Sequence, residues 1–152
     1  MNAPFPWTKV LVSLDFSDDS KRALDYALAA AQSTAASLVL VTVIEDSFPY
    51  PELFAWDRPN EEFYRAMRER ALHHMDELLA GRAAGMAVER VVVRGRPRVE
   101  IAALAADVKA DLIVMARHGS SGVRSALMGS TADGVLHHAP CPVLVLPPVA
   151  GG

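Results

Sequence analysis

Residues 112–131 read LIVMARHGSSGVRSALMGST: a run of branched apolar residues passes directly into a glycine-rich loop, and the loop leads into the start of a helical pattern. Leu112–Ala116 is apolar at every position, which suits a strand covered on both faces rather than one with a face in water. Four further runs are rich in branched apolar residues, most of them nearly continuous: Lys9–Leu14 (KVLVSL), Leu38–Ile44 (LVLVTVI), Val88–Val93 (VERVVV) and Cys141–Leu146 (CPVLVL). Longer helical patterns separate them. Strand runs alternating with helices are the mark of parallel strands joined by crossover helices, so the chain is expected to be an α/β protein with a parallel sheet.

The helices are marked by their caps and stripes. Ser17, with Asp18 and Asp19 behind it, suits the exposed amides and positive end of a helix start, and Ala23, Leu24, Ala27, Leu28 and Ala31 follow as a buried stripe. A second helix is expected over about Asn60–Ala80, burying Phe63, Met67, Ala71, Met75 and Leu78, with the methionines as core fillers. A third, about Arg98–Lys109, is apolar nearly all round and should be deeply packed. The fourth, about Ser130–His138, should turn Ala132, Val135, Leu136 and Ala139 to the sheet. Between the second strand and the second helix, Glu45–Pro59 (EDSFPYPELFAWDRP) is broken by prolines and reads as a long loop, either functional or an aromatic flap over the core.

With 152 residues, 51% apolar and 22% charged, the chain can bury one sizeable core, and residues 1–152 read as a single domain. Fifteen basic against eighteen acidic residues give a formal charge of −3, which provides no footprint for nucleic acid. Cys141, the only cysteine, admits no internal disulfide, and no apolar stretch approaches a membrane span or a secretion signal. The expectation is a cytoplasmic protein that binds neither nucleic acid nor membrane.

The loop of the opening stretch has the chemistry of a phosphate site. Gly119 and Gly122 let backbone approach a ligand, and Gly129, Ser130 and Thr131 would set free amides, hydroxyls and a helix dipole at a helix start. A side chain at Gly129 would then fill the anion's place and leave the fold intact. The competing reading is a turn and a cap without ligand, with Ser130 and Asp133 as a capping box. Arg117, His118 and Arg124 are either cations that screen phosphate or solvated surface residues. His137 and His138 suit the negative end of the fourth helix, and Cys141 between two prolines suits a small apolar filler.

Taken together, VSLDFSDDS, LVLVTVI, DLIVMARHGSSG, the MGST turn and HAPCPVLVL resemble, in order and over nearly the whole chain, the universal stress protein family. The glycine loop of its nucleotide-binding branch reads Gly, two residues, Gly, nine residues, Gly, then Ser or Thr. Gly119, Gly129 and Ser130 match, whereas Ala116 stands at the first glycine. A methyl group there costs about 1 kcal/mol or more if the position needs positive φ, and little otherwise.

The resemblance implies an open, Rossmann-like sheet of five parallel strands in the order 3-2-1-4-5 with two helices on each face. It implies ATP, with or without magnesium, as cofactor. Asp15 would hold the ribose or a nearby edge, the backbone at Val43 would meet adenine, and Ala116, Arg117, His118, Gly119, Gly122, Gly129, Ser130 and Thr131 would hold ribose and phosphates. Asp15 also reads as a simple helix-start carboxylate. The function so implied is an ATP-binding regulatory protein of the stress response with little or no turnover, acting on an unknown protein partner. A homodimer is expected because the last strand should be an apolar sheet edge. The alternatives are a nucleotide-free interaction module and a slow ATP hydrolase; no GxxxxGK[ST], SGGxDS or HIGH signature occurs.

Overall fold

The computed structural model describes residues 6–46, 60–119 and 127–148. In chain order they form β1 (Lys9–Ser13), α1 (Asp18–Thr34), β2 (Ser37–Glu45), α2 (Glu61–Leu79), β3 (Val88–Gly95), α3 (Pro97–Asp107), β4 (Leu112–Ala116), α4 (Ser130–His138) and β5 (Val143–Leu146). The five strands make one parallel sheet in the order β3-β2-β1-β4-β5. Residues 47–59, most of the expected long loop, lie outside the described residues.

The continuous apolar runs are explained by a period of two with both faces covered. Val10, Val12, Leu38, Leu40, Leu112 and Val114 point to one core with Leu24, Ala27 and Leu28 of α1 and Met75 of α2. Their neighbours Leu11, Val39, Val41, Ile113 and Met115 point to a second core with Ile101 and Ala105 of α3 and Ala132 and Val135 of α4. Removing each such aliphatic side chain from water contributes roughly 1.5–3 kcal/mol, so the central strands β1 and β4, paired through Val10–Leu112, Leu11–Ile113 and Val12–Val114, anchor both layers.

Three helix expectations change. In α2 it is Tyr64, not Phe63, that is buried with Ala71 and Met75, while Met67 and Leu78 are half-buried. Tyr64 is drawn in because its hydroxyl donates to Asp46 and its ring lies under the Arg94 guanidinium, 3.6 Å from the centroid. In α3, Ala103 and Ala106 face outward; alanine is the best helix former and is not by itself a sign of burial. In α4, Leu136 is exposed and Gly134 takes the buried place, because a Cβ there would sit 2.6 Å from Arg98 where α4 crosses the start of α3. The edge strand β5 is shorter than the expected run, and Leu144 on it is exposed.

Candidate functional site

β1 and β4 lie side by side, yet the chain leaves β1 toward β2 and leaves β4 toward β5. Such a reversal opens a crevice outside the carboxyl ends of the strands, where loops and helix starts converge. A cavity of about 490 Å³ occupies that place. Asp15, Val43, the run Ala116–Gly119 and the run Gly129–Thr131 all line it. Gly122 and Arg124 lie outside the described residues.

The β1 side is built around a tight turn. The Thr42 hydroxyl donates to the Leu14 carbonyl at 2.9 Å and the Leu14 amide to Val41 at 2.8 Å, so the strand's exit is held to β2. Phe16 then takes φ +66, a left-handed conformation that costs a bulky residue of order 1 kcal/mol or more, and it is retained while the ring packs on His74, 5.3 Å between centroids. That turn aims the Asp15 carboxylate: Oδ1 accepts from the Ser17 amide at 3.0 Å and the Ser17 hydroxyl at 2.5 Å. Ser17 Oγ in turn accepts from Ser20 and caps α1. Asp15 therefore does organise a helix start, as one reading of the sequence has it. Its other oxygen points across to β4, because a Cβ on Gly119 would lie only 2.9 Å from Oδ2. Glycine at 119 makes room for that carboxylate.

On the β4 side, Ala116 is the last strand residue, paired with Leu146, and is not among the residues with positive φ. Its methyl group carries no backbone cost. Beyond it the Arg117 amide donates to Leu146 and the Arg117 carbonyl accepts from Gly129 at 3.1 Å. His118 is buried, and its Nε2 donates to the Leu127 carbonyl at 2.7 Å; it is not a solvated surface residue. Gly129 is the N-cap of α4, with φ −62 and ψ 150, and no side chain among the described residues caps that helix. Ser130 is the first helical residue, so the expected Ser130–Asp133 capping box does not form. The cap glycine also has a reason within the fold itself. A Cβ on it would meet the Arg117 carbonyl oxygen at 2.7 Å, so glycine is there to let two backbones touch.

By contrast, α1 and α2 are capped by the side chains of Ser17 and Asn60, and α3, whose Pro97 also borders the cavity, begins with a residue that has no N–H. The start of α4 is thus the helix end at the cavity that combines available amides with a positive dipole, and it can hold an anion. Among the described residues no group of three or more His, Cys, Asp or Glu could hold a metal ion. Among the lining residues that escaped the sequence reading are Ser20, whose hydroxyl accepts from the Asp15 amide, Glu45 at the end of β2, and Pro97. Proline at the first helical position is a signal for a helix start, but nothing local tells which cavity that start borders.

Next to Glu45, Asp46 accepts from Arg94 Nε at 2.9 Å and from the Tyr64 hydroxyl at 3.0 Å, and Arg94 also reaches Glu61 at 3.1 Å. The Arg94 hydrogen bond, helped by that of Tyr64, holds the Asp46 carboxyl below its ordinary value. Burial, then the bond to Asp46, pushes the Tyr64 hydroxyl up. Far from the cavity, burial and then Asp111 push the Cys141 thiol up, which suits a packing role.

A sequence model described as the universal stress protein family matches residues 6–147. A universal stress protein of Thermus aquaticus is 35% identical over 140 residues, covering 90% of this chain and 96% of its own. Among solved structures, the universal stress protein UspA of Lactobacillus plantarum superposes with a TM-score of 0.78 at 28% identity, covering 95% of this chain and 99% of its own. Another, a universal stress protein in complex with cAMP, superposes at 0.65 with 29% identity, covering 92% and 97%. The match spans every strand and helix described above and both flanks of the cavity, and the chain belongs to the universal stress protein family.

Proposed function

We propose that the cavity at the carboxyl ends of β1 and β4 binds an adenine nucleotide, with ATP as the ligand, and that the protein is a nucleotide-responsive regulator with little or no turnover. The observation that carries the reading is the start of α4: a helix end without a side-chain cap, whose first residues border a cavity of about 490 Å³ at the sheet's switch point. That volume falls within the roughly 300–1,000 Å³ usual for small-molecule sites. A relative of comparable size that binds cAMP supports an adenine ligand. In this reading the amides of Ser130, Thr131 and Ala132 meet phosphate, the Asp15 Oδ2 side meets a ribose hydroxyl, and the backbone at Val43 meets the base, with magnesium carried on the phosphates. The strand conformation of Ala116 removes the argument for a nucleotide-free module that its methyl group supplied.

The same proposal has the protein acting in the cytoplasm in response to stress, as a homodimer through the β5 edge, and handing its nucleotide state to a protein partner. No helix among the described residues is long and apolar enough to cross a membrane. The test is calorimetric titration with ATP, ADP and AMP, beside native mass spectrometry of protein purified from cells. Saturable heat and a co-purifying adenine nucleotide are expected. Neither heat nor ligand would assign the chain to the nucleotide-free alternative, and release of phosphate on incubation with magnesium and ATP would assign it to slow hydrolysis.

A further inference from the structure

His118 is 6% exposed, while Leu127, to whose carbonyl it bonds, is 74% exposed. The bond fixes which nitrogen carries the proton: a carbonyl oxygen only accepts, so Nε2 donates across 2.7 Å. Nδ1 is shut off from solvent and has no hydrogen-bond partner among the described residues. This placement has a use for one proton, on Nε2. A proton on Nδ1 would have nothing to donate to among the described residues. A cation meant for phosphate would instead have an N–H turned to the ligand.

The bond has a companion. From the same two segments, the Gly129 amide donates to the Arg117 carbonyl at 3.1 Å. The pair of bonds ties residues 117–118, the extension of β4, to residues 127–129, the approach to α4, at a place where the two backbones are too close to admit a Cβ on Gly129. We infer that His118 is a positioning residue: its Nε2–H bond to Leu127 holds the segment that sets the first amides of α4 against the cavity, and that N–H is turned to the Leu127 carbonyl rather than to the ligand. For its ligand arm alone the inference rests on the nucleotide reading.

Two measurements test it, one of which needs no ligand. In protein without nucleotide, the nitrogen resonances of the His118 ring report a proton on Nε2 and a bare Nδ1, and the Gly129 amide is protected from hydrogen exchange. His118→Ala removes the donor, and His118→Asn places its amide near the position of Nδ1, short of Leu127. His118→Gln carries an N–H donor at about the reach of Nε2. Gly129 protection and ATP affinity should both fall about tenfold in the Ala and Asn variants, the size of one lost neutral hydrogen bond, and recover to within about threefold in His118→Gln. A ring protonated on Nδ1, unchanged Gly129 protection in His118→Ala, or a glutamine variant as weak as the alanine one would each overturn the inference. If the unsubstituted protein binds no ATP, the nucleotide reading fails, while the ring tautomer and the Gly129 amide still decide the role of His118. Should His118→Ala fail to fold, the tautomer and the Asn–Gln pair give the answer.

Discussion

Gly129→Ala adds one methyl group at the N-cap of α4, and its effect can be worked from the geometry. The φ of −62 and ψ of 150 are open to alanine, so no backbone strain arises; by itself, the loss of glycine's freedom in the unfolded chain would stabilise by about 0.4–1 kcal/mol. Against this, the new Cβ would stand 2.7 Å from the Arg117 carbonyl oxygen, where ordinary contact begins at 3.4 Å. The two backbones must part by about 0.7 Å, since neither atom belongs to a side chain that can swing away; forcing a methylene into a packed place costs about 1–3 kcal/mol. The 3.1 Å bond from Gly129 to Arg117 stretches with them. The net loss is about 1–2 kcal/mol, or roughly 2–8 °C in Tm for a domain of this size. A displacement of that size takes the first amides of α4 out of hydrogen-bond range of a phosphate, and losing one charge-assisted bond of about 1.5–3 kcal/mol lowers ATP affinity roughly 10- to 150-fold. Thermal denaturation by circular dichroism and calorimetric titration read the two quantities. A variant with unchanged or raised Tm and no affinity would mean that the methyl group fills the anion's place; unchanged affinity with unchanged Tm would refute both accounts.

Asp15→Ala removes the acceptor for the Ser17 amide and hydroxyl as well as the ligand contact, so titration should show ATP binding weakened about 10- to 150-fold and urea denaturation a loss of about 1 kcal/mol. Ala35, exposed at the C-cap of α1 with φ +55, should be better as glycine: Ala35→Gly is expected to raise stability by about 1 kcal/mol, read as a higher urea midpoint. The Asp46 carboxyl has a folded pKa below the 3.8 of the free side chain, so its contribution is complete above that value and is lost as pH falls through the lower folded one. Asp46→Asn should therefore be less stable than the parent at pH 7, with the difference in urea midpoints closing toward pH 3; an equal gap at both would contradict the assignment. Leu144→Lys puts a charge on the exposed edge strand, and sedimentation should show the proposed homodimer shifted toward monomer at micromolar concentration.

What the sequence determined alone is what depends on near neighbours. Short apolar runs rich in branched residues, such as LIVMA, alternating with helical patterns read as strands covered on both faces, and the helix starts at Ser17 and Asn60 are set by a side-chain oxygen three residues before the amide it caps. The cluster of site residues was legible for a related reason: in a parallel sheet the residues that follow each strand must gather at one end, wherever the helices run. Contacts between segments distant in sequence were decided only by the tertiary structure. Gly119 and Gly129 look alike in the sequence, yet one makes room for the Asp15 carboxylate and the other for the Arg117 carbonyl. Phe16 at positive φ has no local signal, since phenylalanine is a poor choice for that conformation and is kept there by its place against His74 and the core. Tyr64 displaces Phe63 from the interior because Asp46 and Arg94, 18 and 30 positions away, supply partners for its hydroxyl and ring. The His118 ring, read from sequence as either a phosphate-screening cation or a solvated surface residue, is buried and donates to a carbonyl nine residues on. Hydrogen-bond partners and close approaches of this kind are properties of the folded arrangement, and no window of neighbouring residues contains them.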